Sequence, residues 1–168
     1  TVNDVCGLDA QIKWTNDLIL NGKKLGGILT ELGMENGTLS YVIIGVGINV
    51  SQQKEDFAGE VKDLATSLEC ELCREVSKNE LAAVMIAALD TLYDDLRGGN
   101  TANYVERYRR DCVTLGKEVQ LLWQDVHEKV FALDVDEQFG LVVRREDGEI
   151  DTIRTGEVSV RGLYGYVN

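Results

Sequence analysis

The sequence predicts an α+β protein: a mixed, largely antiparallel sheet with helices, followed by a small β-barrel. Three observations carry that prediction. Two Asn-Gly pairs, Asn21-Gly22 and Asn36-Gly37, each sit between apolar, strand-like runs, a strong short-range hairpin signal. A stretch from Leu81 to Leu96 keeps the i, i+3, i+4, i+7 spacing of a helix with one apolar face. After Leu115-Gly116 the chain turns to short strands separated by turns such as Asp147-Gly148, and about fifty residues of this kind suit a small barrel.

The elements follow in order. Residues 1–7 read as the tail of a helix stopped by Gly7. Ala10 to Trp14 alternates and reads as a short strand. Leu18–Leu20 and Lys24–Met34 flank the first turn, and the second leads into Leu39–Val50, so the chain forms a meander rather than a βαβ repeat. Residues 51–76 are polar and irregular, with a short helix around Glu60–Leu68. Ser77 and Glu80 form a capping box for the long helix, which carries Leu81, Val84, Met85, Ala88, Leu89, Leu92, Tyr93 and Leu96 and ends at Gly98-Gly99. A second helix, Thr101 to Cys112, places Tyr104, Val105, Tyr108 and Cys112 on one face. Strands are expected at 117–123, 129–135, 141–145, 150–155 and 158–163. The change of character puts a domain boundary near residue 113, giving units 1–112 and 113–168.

Composition narrows the function. With 44% hydrophobic and 27% charged residues, the 168-residue chain is globular and long enough to bury a core. A formal charge of −12 argues against a general nucleic-acid or anionic-membrane surface, and makes the few clustered lysines informative. The longest apolar run, Tyr41 to Val50, is broken by two glycines and falls short of a membrane span. Four cysteines without a visible signal peptide suggest reduced thiols in a cytoplasmic protein. The chain opens on Thr-Val-Asn-Asp rather than methionine, and is read as a fragment of a longer protein.

Three segments carry the chemistry. In Gly45-Val46-Gly47-Ile48-Asn49, the two glycines and Asn49 share one strand face while Val46, Ile48 and Val50 share the other. One face is packed; the opposite is stripped to backbone, as close approach of a ligand requires, although a bend in a twisted sheet would read the same. Asn49 offers both a donor and an acceptor. In Lys13-Trp14-Thr15-Asn16-Asp17, Ile12 and Trp14 pack opposite Lys13, whose ammonium reaches a cleft beside Asn16 and Asp17. As an isolated pentapeptide, this would be a surface lysine and a turn. Lys23-Lys24-Leu25-Gly26-Gly27 is not a phosphate-binding P-loop, because its lysines precede its glycines, but Lys24 and Gly26 share a strand face. Cys70 and Cys73 form a lone CxxC. The single histidine, His127, lies far along the chain, so a zinc site is not expected and no metal ligand is assigned.

Together, in this order and spacing, the three segments resemble bacterial biotin protein ligases. That family carries Lys-Trp-Pro-Asn-Asp, a basic residue before Lys-hydrophobic-small-Gly-Ile-Leu, and Gly-x-Gly-Ile-Asn. Here these stand as Lys13–Asp17, Lys23–Leu29 and Gly45–Asn49, with Thr15 in place of proline. Gly156 to Arg161 is similar to the family's C-terminal Gly-Glu-x-Ser-x-Arg segment. The resemblance implies the biotin/lipoate-ligase fold ending in an SH3-like barrel. It covers nearly all of the chain, but the family's arginine- and glycine-rich biotin loop, upstream of the lysine–tryptophan motif, is not in it. The chain thus resembles the C-terminal portion of a biotin–[acetyl-CoA-carboxylase] ligase.

The implied activity activates biotin with ATP and Mg2+ to biotinyl-5'-AMP, then transfers it to a lysine of a biotin carboxyl carrier domain. Lys13 is the implied catalytic residue, with Asn16, Asp17, Lys24, Gly26, Gly27, Gly45, Gly47, Asn49 and Arg161 around substrate and nucleotide. DNA would be a partner only of a full-length protein with an N-terminal winged helix, and a homodimer is possible. Alone, the chain is expected to be inactive as a ligase and to expose apolar surface that favours self-association. Two other readings stand beside this one: a lipoate or octanoyl protein ligase or transferase, and a non-catalytic binding module.

Overall fold

The computed structural model describes residues 1–59, 61–123, 126–154 and 159–162. Helix α1 (Val2–Cys6) ends at Gly7, whose φ of 66° is the left-handed cap expected of glycine. Strands β1 (Gln11–Lys13), β2 (Asp17–Leu20), β3 (Lys23–Glu35) and β4 (Thr38–Ile48) form an antiparallel meander in that order. Both Asn-Gly turns are where the sequence puts them, with positive φ at Asn21, Gly22, Asn36 and Gly37, as a tight hairpin turn requires. Trp14 lies beyond the end of β1, not within it as the alternation suggested.

The segment after β4 holds more helix than expected. A 3-10 turn at Lys54–Asp56 precedes α2 (Val61–Leu64), and a separate helix, α3 (Leu68–Leu72), follows where none was expected. Its start is set by Ser67, whose hydroxyl accepts from the Cys70 N–H at 3.3 Å. Helix α4 (Lys78–Gly98) begins with Ser77 Oγ accepting from the Glu80 N–H and ends on left-handed Gly99. Its apolar stripe is not covered as the periodicity implied. Leu81 alone is buried, while Ile86, Tyr93 and Leu96 are exposed. Helix α5 (Ala102–Asp111) buries Val105.

Five further strands complete the chain: β5 (Glu118–Trp123), β6 (Val126–Val135), β7 (Leu141–Arg144), β8 (Ile150–Ile153) and β9 (Ser159–Gly162). They pair antiparallel in the order β8-β7-β6-β5-β9, the β-rich terminal region the turn signals announced. Two apolar cores result. One joins Val2, Cys6, Leu20, Leu25, Val50, Leu68, Val76 and Leu81 beneath the first sheet. The other gathers Val119, Leu121, Val130, Val135, Leu141, Val143 and Ile153 of the second sheet around Trp14 and Cys112. Trp14 thus carries the first sheet's loop into the second sheet's core. Among the described residues, no helix is long and apolar enough to cross a membrane.

Candidate functional site

The strand register builds the site. Lys13 pairs with Asp17, Asp17 with Gly27, and Gly27 with Gly47. Residues directly opposite one another in an antiparallel pair point to the same face. Lys13, Asp17, Gly27 and Gly47 therefore form one row across all four strands: a cation, a carboxylate, then two residues of bare backbone.

An open cleft of about 490 Å³ lies along the Asp17, Gly27 and Gly47 part of this row, lined by Asn16, Asp17, Lys24, Gly27, Ile28, Leu29, Gly45, Val46 and Gly47, with Lys13 behind Asp17 and outside the lining. The glycines are not equivalent. A Cβ on Gly45 or Gly47 would meet only ordinary van der Waals contacts at 3.8 Å, so their bareness leaves room above the sheet. A Cβ on Gly27 would crowd Asp17 Oδ1 and the Asn16 carbonyl at 3.3 and 3.4 Å. Gly26 has a different reason to be glycine. A Cβ there would collide with the Gly47 carbonyl across the strand pair, so packing of backbone on backbone explains it without a ligand.

Lys13 is not the solvated lysine that its pentapeptide would suggest. The residue is 8% exposed, and its ammonium lies 3.9 Å from Asp17 Oδ2. Lys24 Nζ reaches Asp17 Oδ1 at 2.5 Å, so one carboxylate is shared by two ammonium groups. This corrects the placing of Lys24 with Gly26. The β2–β3 register shifts between Leu18 and Ile19, leaving Leu25 as an extra residue; Lys24 pairs with Ile19 and so joins the Asp17 face. Asn16 Nδ2 donates to the Ile28 carbonyl at 2.5 Å, tying the loop after β1 to β3.

Asn49 stands apart from the cleft. Its Nδ2 donates to the Thr66 carbonyl at 3.0 Å, and its own carbonyl accepts from the Leu68 N–H at 3.0 Å. It fastens the start of α3 to the end of β4. Arg161 lies on β9 opposite Gln120, and its side chain lies outside the described residues. Cys70 and Cys73 are free thiols, and among the described residues no cluster of His, Cys, Asp or Glu could hold a metal ion.

Residues that the sequence did not single out hold the lysine-bearing loop. The Trp14 N–H donates to Thr114 Oγ1 and its indole N–H to the Phe139 carbonyl, both at 2.9 Å. Tyr108 Oη donates to the Thr15 carbonyl at 2.7 Å. Burial pushes the Tyr108 phenol far above its ordinary range, so it remains a donor at any working pH. The Trp14–Thr15 peptide is cis. The partners lie 93 to 125 residues away in sequence, beyond the reach of local pattern.

Fold and site together describe an α+β protein whose first sheet bares a lysine-flanked strip of backbone suited to an anion. Residues 4–49 match the Biotin/lipoate A/B protein ligase family. The bifunctional ligase/repressor BirA of Bacillus subtilis is 52% identical over 67 residues, which is 40% of this chain and 21% of that protein. The biotin–[acetyl-CoA-carboxylase] ligase of Mycobacterium tuberculosis is 30% identical over 148 residues, 88% of this chain and 52% of that one. The apo biotin protein ligase from Aquifex aeolicus aligns with a TM-score of 0.83 at 25% identity, covering 96% of this chain and 69% of that one. Its complex with biotin and ATP gives 0.81 at 24%, over 96% and 66% of the two chains. The chain thus carries a biotin/lipoate protein ligase family match over residues 4–49 and has the biotin protein ligase fold. It spans about half the length of the curated relatives that it matches along most of its own length.

Proposed function

We propose that this chain carries the adenylate-binding part of a cytoplasmic biotin protein ligase. The observation that carries the reading is the row Lys13–Asp17–Gly27–Gly47, with Lys24 beside it and Gly45 and Gly47 leaving its far end open. Three inter-strand steps of about 4.8 Å give a strip about 14 Å long, room for an extended small anion. The relatives' names supply biotin, ATP and acetyl-CoA carboxylase, and the acceptor in this reading is the carboxylase's carrier domain.

In this reading, the biotin carboxylate attacks the α-phosphorus of ATP, and the bond to the β-phosphate oxygen breaks to release pyrophosphate. The amine of a carrier lysine then attacks the acyl carbon, forming an amide as AMP leaves. Both steps build negative charge near the α-phosphate and acyl oxygen. Lys13, sheltered from water and held by Asp17, is the group proposed to stabilise that charge without reorganising. Lys24 balances Asp17, so that the shared carboxylate does not cancel Lys13. Asn16 and Asp17 orient the loop, Gly27, Gly45 and Gly47 admit the nucleotide, Asn49 acts from outside the cleft by fastening α3 to the end of β4, and Arg161 is assigned to the phosphate by resemblance alone. A protein-held Mg2+ does not fit this wall, because among the described residues Asp17 is its one carboxylate and already serves two ammonium groups. The ion would enter on the triphosphate and keep its waters.

The test is to incubate the full-length protein containing this chain with ATP, Mg2+, biotin and an apo carrier domain. ATP-dependent biotin transfer to the carrier lysine is expected. Transfer of lipoate or octanoate but not biotin would move the protein to the other branch of its family.

A further inference from the structure

The loop between β1 and β2 begins at Lys13 and ends at Asp17, yet its own strands do not hold it alone. Four hydrogen bonds from three other segments converge on residues 12–15. Val113 N–H donates to the Ile12 carbonyl at 2.8 Å, Thr114 Oγ1 accepts from Trp14, Phe139 O accepts from the indole, and Tyr108 donates to Thr15.

Phe139 is the unusual member. It sits at φ 62°, a left-handed conformation that a bulky side chain adopts only when its surroundings impose it. They do so here. Asp136 Oδ1 accepts from the N–H groups of Gln138 and Gly140, and Arg154 pairs with the same carboxylate. The outcome of that strained turn is specific. The Phe139 carbonyl faces the Trp14 indole, and its ring stands edge-on to Tyr108, with centroids 5.4 Å apart at 80°. Glycine would take the same φ without strain but would leave Tyr108 without its ring partner.

We propose that the turn Asp136–Gly140, acting with Tyr108 and Thr114, is a positioning device for the Lys13–Asp17 loop, so that the C-terminal sheet sets the geometry of the adenylation cleft. This rests on the functional reading above. Charge stabilisation depends on placement to a fraction of an ångström, and a loop hung between two short strands lacks that fixity. Tyr108, Thr114 and Phe139 are positioning residues, since the loop and not the substrate is what they touch.

The experiment uses the full-length protein with Tyr108→Phe, Thr114→Val and Thr114→Ser. It reads pyrophosphate release with biotin and ATP, and hydrogen exchange at the Trp14 amide. Tyr108→Phe and Thr114→Val are expected to lower kcat about tenfold, with KM for both substrates within about twofold, and to speed exchange at Trp14. Thr114→Ser keeps the hydroxyl and is expected to restore most of kcat. An active parent whose Tyr108→Phe and Thr114→Val forms keep kcat within about twofold would overturn the inference. So would equal losses in Thr114→Val and Thr114→Ser, which would make the site one of packing. An unaltered protein that forms no adenylate overturns the ligase reading itself, and that outcome is separable because it appears before any substitution.

Discussion

The two sheets are built from similar strands and are finished differently. In the second, alternate positions close on one another: Ala132, Val135, Leu141 and Val143 have no exposure, and Trp14 fills the centre. In the first, β3 and β4 are the longest strands of the molecule, yet Leu29, Leu32, Met34, Leu39, Tyr41, Val42, Ile43 and Ile44 are all exposed. The register sends Leu32 and Val42 to one face and Ile43 to the other, so both faces of the hairpin are apolar and uncovered among the described residues. The uncovered stripe of α4 repeats the pattern. The second sheet closes around its core with Trp14 and Cys112, whereas the first is closed at β2 and the start of β3 and its outer β3–β4 hairpin is a surface patterned for burial against something else.

Substitutions can break that contrast. The largest effect is expected from Trp14→Ala, which empties the second core and removes the indole hydrogen bond to the Phe139 carbonyl, leaving the backbone bond to Thr114 in place. Denaturant unfolding should show a loss of about 3–5 kcal/mol, and a loss under about 1 kcal/mol would mean that Trp14 does not join the two regions. Next comes a matched pair of leucines. Leu141→Ala, fully buried, should cost about 2–5 kcal/mol, whereas Leu32→Ala, 63% exposed, should stay within about 0.5 kcal/mol. Equal costs would show that the hairpin is covered. The smallest change in fold stability should come from Leu32→Glu with Ile43→Lys, both exposed. Sedimentation of the chain should show concentration-dependent self-association that this pair abolishes, and a unaltered chain monomeric at every concentration would remove the argument for a sticky face.

Most strands were legible because period-two patterning and Asn-Gly turns are local, and they survive whatever packs on them. The signature segments were legible for the same reason, since each is a short run whose residues are close in sequence. What failed was whatever depended on distance or on an irregularity. Strict alternation put Lys24 with Gly26, and the extra Leu25 reversed it. Amphipathic spacing in α4 reported a face that needs a partner, not that a partner is present. The clamp on Trp14 was hidden because Tyr108, Thr114 and Phe139 carry no motif. The Asp136…Gly140 spacing of a turn was a signal that could have drawn attention to that region. Nothing local marks Phe139 as left-handed. Asn49, read as a ligand group from its strand face, also donates its amide to the Thr66 carbonyl, a partner 17 residues away that the strand pattern does not reveal.

In the proposed function, Lys13, the buried cation at the head of the sheet row, drives adenylate formation. Its most direct test is the rate of biotin-dependent pyrophosphate release in the full-length protein carrying Lys13→Ala. Asp17 would keep Lys24 as its partner, so the fold should survive, with a melting temperature close to that of the unaltered protein. Adenylation at least about a hundredfold slower is expected, the scale of one lost preorganised charge. An unchanged rate in the folded variant would contradict it.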